Sequence, residues 1–544
     1  MKTFRSMRGV LAVGALTLSG AAFAGQPLFV GQVSGSAQAK ASAASALAAR
    51  PTTAQMRLMR ANPAVVSAGT REIELDLGGR RVNAVLREAK AIDGGLVWSG
   101  TLRETAKSRY MTAREVRDDA LNMATLVRRG NGITGSVRMD GKLFRIRPMP
   151  DGSHAVIEVD ESRMPADHPF DPNRLPQVRM DANPARAGAT SATVGPTAIS
   201  PGPTATIRVM VVATQAAVNA YGGDMRALVD LAVAESNQGY ANSDVGINLV
   251  LADYMTVNYG EVGMSTDLSR FRGTSDGYMD EVHARRDASG ADVMMLVGND
   301  SSACGLASGI GSSASTAFAT VYWDCATGYY SFAHEIGHLQ SARHDPAADP
   351  TNTPYAYGHG YRAPNAAWRT IMAYNCSPSC PRINYWSNPD KTYNGQAMGT
   401  ADRSHNQRVL VNTKATIAAF RGDPGGGGGG TQTYTNGTDV QIRDNTTVES
   451  PITVSGRSGN APTSTAVAVN IVHTYRGDLV IDLVAPDGST YRLKNSSGSD
   501  SADNVNATYN VNLSSEPING TWKLRVRDVY SGDTGYINSW SITL

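Results

Sequence analysis

His334-Glu335-Ile336-Gly337-His338 form one short run of this chain, with His344 six residues beyond and Asp345 directly after it. Imidazole and carboxylate are the side chains that most often hold a transition metal and move protons. On a helix, His334 and His338 lie one turn apart and project from one face toward a single ion. Glu335 sits beside that face, close enough to handle a water at the metal without being a ligand. A continued helix would carry His344 away, so the chain must turn after about Gln340 to bring it back. Three nitrogens and one open position describe a catalytic zinc site rather than a structural one. With only nine histidines and 13 glutamates among 544 residues, composition alone gives this pattern with odds on the order of 10⁻⁴.

The pattern resembles the metzincin zinc endopeptidases, whose motif reads HExxHxxGxxH. His334, Glu335, His338 and His344 match it, while Ser341 stands in place of the glycine. That glycine ends the helix in a backbone shape costly for other residues. Asp345 is similar to the aspartate of reprolysin-type members, which supports the site from behind the ligands. Thr370-Ile371-Met372-Ala373-Tyr374 resembles the methionine turn beneath the metal, and Tyr374 the tyrosine that some members bring to the metal or the oxyanion. HEIGHLQSARHD, TIMAY and the following Cys-Pro-Arg-Ile-Asn-Tyr-Trp resemble bacterial reprolysin-like proteases, including the peptidyl-Asp metallopeptidases. This implies an acidic preference after the cut bond, with Arg382 as a partner for that carboxylate, a surface or structural arginine being the alternative. It also implies the chemistry. Zinc lowers the pKa of a water it holds toward about 7 and polarises the scissile carbonyl. Glu335 takes the water proton and passes it to the departing amine, and Tyr374 assists the oxyanion.

The elements that must position these residues read as an α/β unit over 201–422. Apolar runs at 207–213, 247–251, 293–297 and 316–323 predict strands, and 277–286 predicts a helix. Asp224 caps another helix whose Met225, Leu228, Val229 and Ala232 share one face, and the motif helix starts near Tyr329. Strand–helix–strand order implies a mainly parallel mixed sheet. Cys304, Cys325, Cys376 and Cys380 all fall within this unit. Three pairings are open, and local loop closure favours Cys304–Cys325 with Cys376–Cys380.

Outside that unit the chain divides further, as its length predicts at roughly 150 residues per domain. Lys2, Arg5 and Arg8 precede an apolar run that ends in Ala22-Phe23-Ala24, so 1–24 reads as a signal peptide cleaved after Ala24. The chain is then expected to be secreted. Fifty basic against 48 acidic residues leave +2, which offers no basic stripe for nucleic acid or a membrane surface. Aspartate supplies 35 of the acids and favours turns, so strands and loops should dominate. Residues 25–65 read as a poorly ordered, Ala/Ser-rich lead-in. Short strands follow over 69–176, and a Pro/Gly-rich linker at 176–203 is an expected processing site. Segment 25–200 resembles the propeptides of secreted metalloproteases. No cysteine precedes Cys304, so an Asp or His of residues 151–182, such as His154, Asp167, His168 or Asp171, is the expected group to close the zinc site.

Six glycines within the linker 423–432 lead to 433–544, which has regularly spaced strands and no helix. His473-Thr-Tyr-Arg-Gly-Asp478 through Pro486-Asp487-Gly488, with Gly520-Thr-Trp522, resembles the P domain of proprotein convertases, an all-β, jelly-roll-like sandwich. Asp478, Asp482 and Asp487 are candidate calcium ligands there, with turn-capping as the alternative. A P domain commonly accompanies a serine protease, but the chain has no Gly-Thr-Ser-x-Ala nucleophile motif. The expected protein is a monomeric zinc endopeptidase with peptide substrates and its own propeptide as inhibitor. The competing reading is an exported binding or adhesion protein with a degenerate metal site.

Overall fold

Strict alternation of buried and part-exposed side chains, as along Glu72–Leu77, builds the first unit as a sheet with one face inward. In the computed structural model the described residues are 25–33, 38–103, 105, 119–169, 175–177, 180, 200–377, 379–421, 432–455, 457, 460–462 and 464–544. The expected signal peptide, most of both linkers and Asp171 lie outside them. Ten strands run in the order Gln26–Pro27, Glu72–Leu77, Arg80–Ile92, Gly95–Arg103, Met123–Arg129, Gly132–Met139, Lys142–Pro148, His154–Val159, Thr53–Ala61 and Phe29–Gln32. One short stretch, 26–32, therefore pairs with strands at both ends of the sheet. Its core holds Leu75, Trp98, Leu126, Val137 and Ile146, all buried. The expectation of a poorly ordered 25–65 is corrected here. Thr53–Ala61 pairs along its length with His154–Val159, and a helix covers Gln38–Ala48. Only Met59 is buried within Thr53–Ala61, so the strand lacks the alternation that would mark it in the sequence.

The second unit is a five-stranded sheet in the order Ile247–Val257, Ala205–Thr214, Val293–Gly298, Phe318–Tyr322 and Gly305–Ala307. The first four strands are parallel, and Gly305–Ala307 is the antiparallel edge. Every residue of Val293–Gly298 is buried, as a central strand covered on both faces requires. Asp224 caps the helix Met225–Asn242 through Ala227 N, 3.1 Å away. That helix buries Ala227 and Leu231 against Val127 of the first unit. The helix expected at 277–286 spans Glu281–Ser289, because Asp280 accepts from the amides of Asp276 and Gly277 and holds them in a turn. Both expected disulfides, Cys304–Cys325 and Cys376–Cys380, are formed.

The third unit, 432–544, packs two antiparallel sheets around Val467, Leu483, Trp522, Leu524 and Trp540. Among the described residues no helix is long and apolar enough to cross a membrane.

Candidate active site

The helix Ser331–Leu339 is buried along its whole length and carries the first two histidines. Its end explains the third. Gln340 closes the helix, and Ser341 takes φ +75°, the left-handed turn expected of a glycine. Ser341 N then donates to His338 O at 2.8 Å and Ala342 N to Gly337 O at 2.9 Å, a helix-ending pair that reverses the chain. His344 swings back under the helix. A Cβ at Gly337 would strike the Trp386 ring and the Met372 sulfur, so the motif's internal glycine is a packing requirement.

The three imidazoles converge. Nε2 of His334 lies 3.1 Å from both His338 Nε2 and His344 Nε2, and the last two are 2.9 Å apart. His334 Nδ1 faces Ile371 O at 2.9 Å and His338 Nδ1 faces Ala342 O at 2.8 Å. Only a protonated Nδ1 can donate to a carbonyl, so both Nε2 atoms turn lone pairs toward the common centre. Lone pairs so close repel unless a cation lies among them. Tetrahedral zinc at about 2.0–2.1 Å from each nitrogen sets its ligands roughly 3.3 Å apart, near the spacing found. Burial also opposes protonation. It holds His338 at about 4 and His334 and His344 well below the usual range, which keeps all three in the ligating form.

Glu335 is equally enclosed, and burial pushes its carboxyl up to about 8. Neither of its oxygens has a well-formed hydrogen bond. A Cβ on Gly305 of the edge strand would overlap its carboxylate. Met372 lies fully buried beneath the site. Asp345 accepts from Tyr374 N at 3.0 Å and pairs with Arg362 at 3.0 Å, so it braces the backbone after Met372 rather than a histidine. The Tyr374 ring lies 4.3 Å from the His344 ring.

A segment from the first unit enters this site. Cys304 N donates to Ala166 O at 2.8 Å and Gly305 N to Asp167 O at 3.1 Å, so the segment adds to the open side of the edge strand. His168 completes a buried group of four histidines whose ligand atoms lie within 4.8 Å of one another. Its Nε2 is 3.4 Å from Glu335 and its Nδ1 is 3.0 Å from the Tyr374 hydroxyl. Burial takes its pKa down to about 4. Asp167, the preceding residue, pairs with Arg382 at 2.8 Å.

Of the four candidate closing groups, His168 reaches the three histidines. Asp167 points to Arg382, and His154 instead accepts from Ile133 N at 3.0 Å. His359 bonds His344 O at 2.8 Å. The three aspartates offered for calcium do not gather. Asp482 pairs with Arg492, Asp487 caps Ser489, and Asp478 lies among other acids that raise its pKa after burial. Among the described residues the four histidines are the one candidate metal group. Sequence reading missed Arg369, Tyr329 and Gly305. Nothing in their local spacing marks them, because each acts only through tertiary contact.

Residues 203–387 match the model of metallo-peptidase family M12, and residues 462–544 match that of the proprotein convertase P-domain. A peptidyl-Asp metalloendopeptidase of Stenotrophomonas maltophilia (strain K279a) is 57% identical over 380 residues, 69% of this chain and 88% of the relative. A namesake in strain R551-3 is 55% identical, covering 76% of this chain and 98% of the relative. A third, from Xanthomonas campestris pv. campestris, is 52% identical over 77% of this chain and 99% of its own length.

Proposed function

The chain belongs to metallo-peptidase family M12 and is a zinc metalloendopeptidase, and from that premise we propose that it is secreted as a latent precursor, hydrolyses internal peptide bonds through Glu335, and prefers an aspartate after the cut bond. The observation that carries this reading is the convergence of three Nε2 atoms beside a buried Glu335 whose oxygens have no well-formed hydrogen bond. An idle site has no physical need for that acid.

His334, His338 and His344 would hold one zinc ion, which when bound polarises the carbonyl and acidifies water. The remaining steps belong to the chain. Glu335 accepts a proton from the attacking water as its oxygen bonds to the carbonyl carbon. It returns that proton to the amide nitrogen as the C–N bond breaks, leaving an amine and a carboxylic acid whose own proton then passes to solvent. The Tyr374 hydroxyl, once free of His168, is available to hydrogen-bond the developing oxyanion. The amides of Cys304 and Gly305 would align the substrate backbone on the edge strand. The carbonyls of Ile371 and Ala342 hold two of the rings in register, as second partners of metal-bound histidines do.

In the precursor, His168 would supply a fourth nitrogen to the metal, and its ring excludes water from Glu335. We read 1–24 as the signal peptide, 25–200 as the propeptide, 201–422 as the metzincin catalytic domain and 433–544 as an accessory sandwich. The peptidyl-Asp names of three relatives support the aspartate preference. Metal analysis of the processed protein should give one zinc per chain, and casein hydrolysis should stop with a zinc chelator. Glu335→Gln should keep the zinc and lose at least ~100-fold in kcat, whereas His338→Ala should lose both. A metal-free wild type, or full turnover in Glu335→Gln, ends this reading.

A further inference from the structure

Arg369 and Arg382 set two guanidiniums against the Tyr329 ring, 5.1 and 4.5 Å from its centroid. Both side chains are fully buried. Their N–H groups go to the carbonyls of Tyr329, Ala373 and Cys380 and to the Tyr329 hydroxyl. Carbonyl dipoles satisfy hydrogen bonds but cancel no charge, and buried like charges side by side require an anion. Among the described residues one carboxylate lies within ion-pair distance of either guanidinium. It is Asp167, 2.8 Å from Arg382 and 3.8 Å from Arg369. Burial pushes the Asp167 carboxyl up, and Arg382 followed by Arg369 more than reverses this.

Asp167 lies outside the 203–387 peptidase match. If the segment carrying it leaves, two cations are left lining an opening without a counter-ion. Where that opening sits follows from chain continuity. The next residue, His168, brings its ring within 4.7–5.4 Å of the three other histidine rings, and one residue spans roughly 3.5 Å. A carboxylate in this opening thus belongs to a residue adjacent to the one at the metal centre.

We propose that Arg369, Arg382 and Tyr329 form the pocket that selects an aspartate beside the scissile bond, and that Ala166-Asp167-His168 fills it as a pseudo-substrate. The proposal rests on the peptidase reading above and names the residues behind its preference. The pseudo-substrate resists cleavage because the imidazole of His168 stands 3.4 Å from Glu335, where the attacking water belongs. One dipeptide therefore supplies both latency and a template of the preferred substrate.

The test uses the secreted full-length chain after processing, or after an added protease has cut it between 181 and 199. Two peptides are titrated by calorimetry, acetyl-Met-Pro-Ala-Asp-His-Pro-amide and its Asp→Asn twin. Each carries the same histidine, so their ratio isolates the carboxylate. The Asp peptide should bind at least ~100-fold more tightly, as a pocket with unpaired buried charge discriminates. In Arg382→Gln the ratio should fall below about threefold, with Arg382→Lys intermediate. Library cleavage mapped by mass spectrometry should show Asp and Asn becoming equivalent in Arg382→Gln. Equal binding of the two peptides by wild type, or an undiminished ratio in folded Arg382→Gln, overturns the pocket. Should that variant fail to fold, the wild-type ratio decides alone. A wild type that binds selectively but hydrolyses nothing refutes the peptidase reading and leaves the pocket standing.

Discussion

The metal centre and the arginine pocket lie one residue apart along the same inserted segment, yet they are built on opposite terms. At the first, three imidazole Nε2 atoms converge within 3.1 Å of one another, and the partner they need is a cation. At the second, two guanidiniums are buried against one tyrosine ring, and the partner they need is an anion, supplied by Asp167. Each is incomplete by itself, and what completes it differs in cost. Neutral imidazoles without a cation suffer lone-pair repulsion but bury no net charge. A buried guanidinium does not tolerate the loss of its carboxylate.

That contrast predicts the largest effect. In the full-length chain with metal removed, Asp167→Asn keeps the shape and removes the charge, which should loosen the inserted segment by about 3 kcal/mol or more. The amides of Cys304 and Gly305, which donate to Ala166 and Asp167, report the opening directly. Their hydrogen exchange should rise by roughly 100-fold. His168→Ala loses packing and one hydrogen bond to Tyr374, so under the same conditions it should raise exchange by only about tenfold. Equal effects of the two changes would erase the distinction between the sites.

The two sites also differ in how far the sequence discloses them. His334, Glu335, His338 and His344 are legible because a helix converts spacing into direction, and a single turn at Ser341 returns the third histidine. The parallel sheet was legible from continuous apolar runs such as 293–297. Arg382 could be singled out only through a family resemblance, and Arg369 not at all. The pocket needs Tyr329, Asp167 and both arginines from three separate stretches, and no local period links them. Segment 25–65 failed for a related reason, since its strands pair with residues up to about a hundred positions away. Long-range pairing leaves no mark in local composition.

A smaller effect should appear where the first unit meets the helix Met225–Asn242. Glu235 accepts from the Ser136 hydroxyl and from Gly328 N at 2.8 Å, facing Arg138, Arg145 and the Tyr330 phenol. Burial raises its pKa to about 7 against an ordinary 4.5. The folded contact therefore binds the proton more tightly than the open one. Its stabilisation is full below the ordinary value and is lost as pH rises toward about 7. Release of the first unit after cleavage of the linker, followed by gel filtration, should be easier at pH 8 than at pH 5. Glu235→Gln should flatten that dependence. An unchanged pH profile in the variant would assign it to other groups.

The smallest expected change separates the shape of the metal site from its chemistry. Ser341 sits at φ +75°, fully buried with its hydroxyl unpartnered. A side chain in the left-handed region costs about 1 kcal/mol relative to glycine, and the buried hydroxyl adds to that. Ser341→Gly removes both penalties while keeping the backbone bonds from Ser341 N and Ala342 N that turn His344 inward. Glycine also widens the unfolded ensemble, which takes back part of the gain. A net stabilisation of about 0.5–1 kcal/mol should follow in thermal unfolding, with zinc content unchanged. Destabilisation, or lost zinc, would mean that the serine itself holds the turn and that the third ligand depends on more than backbone geometry.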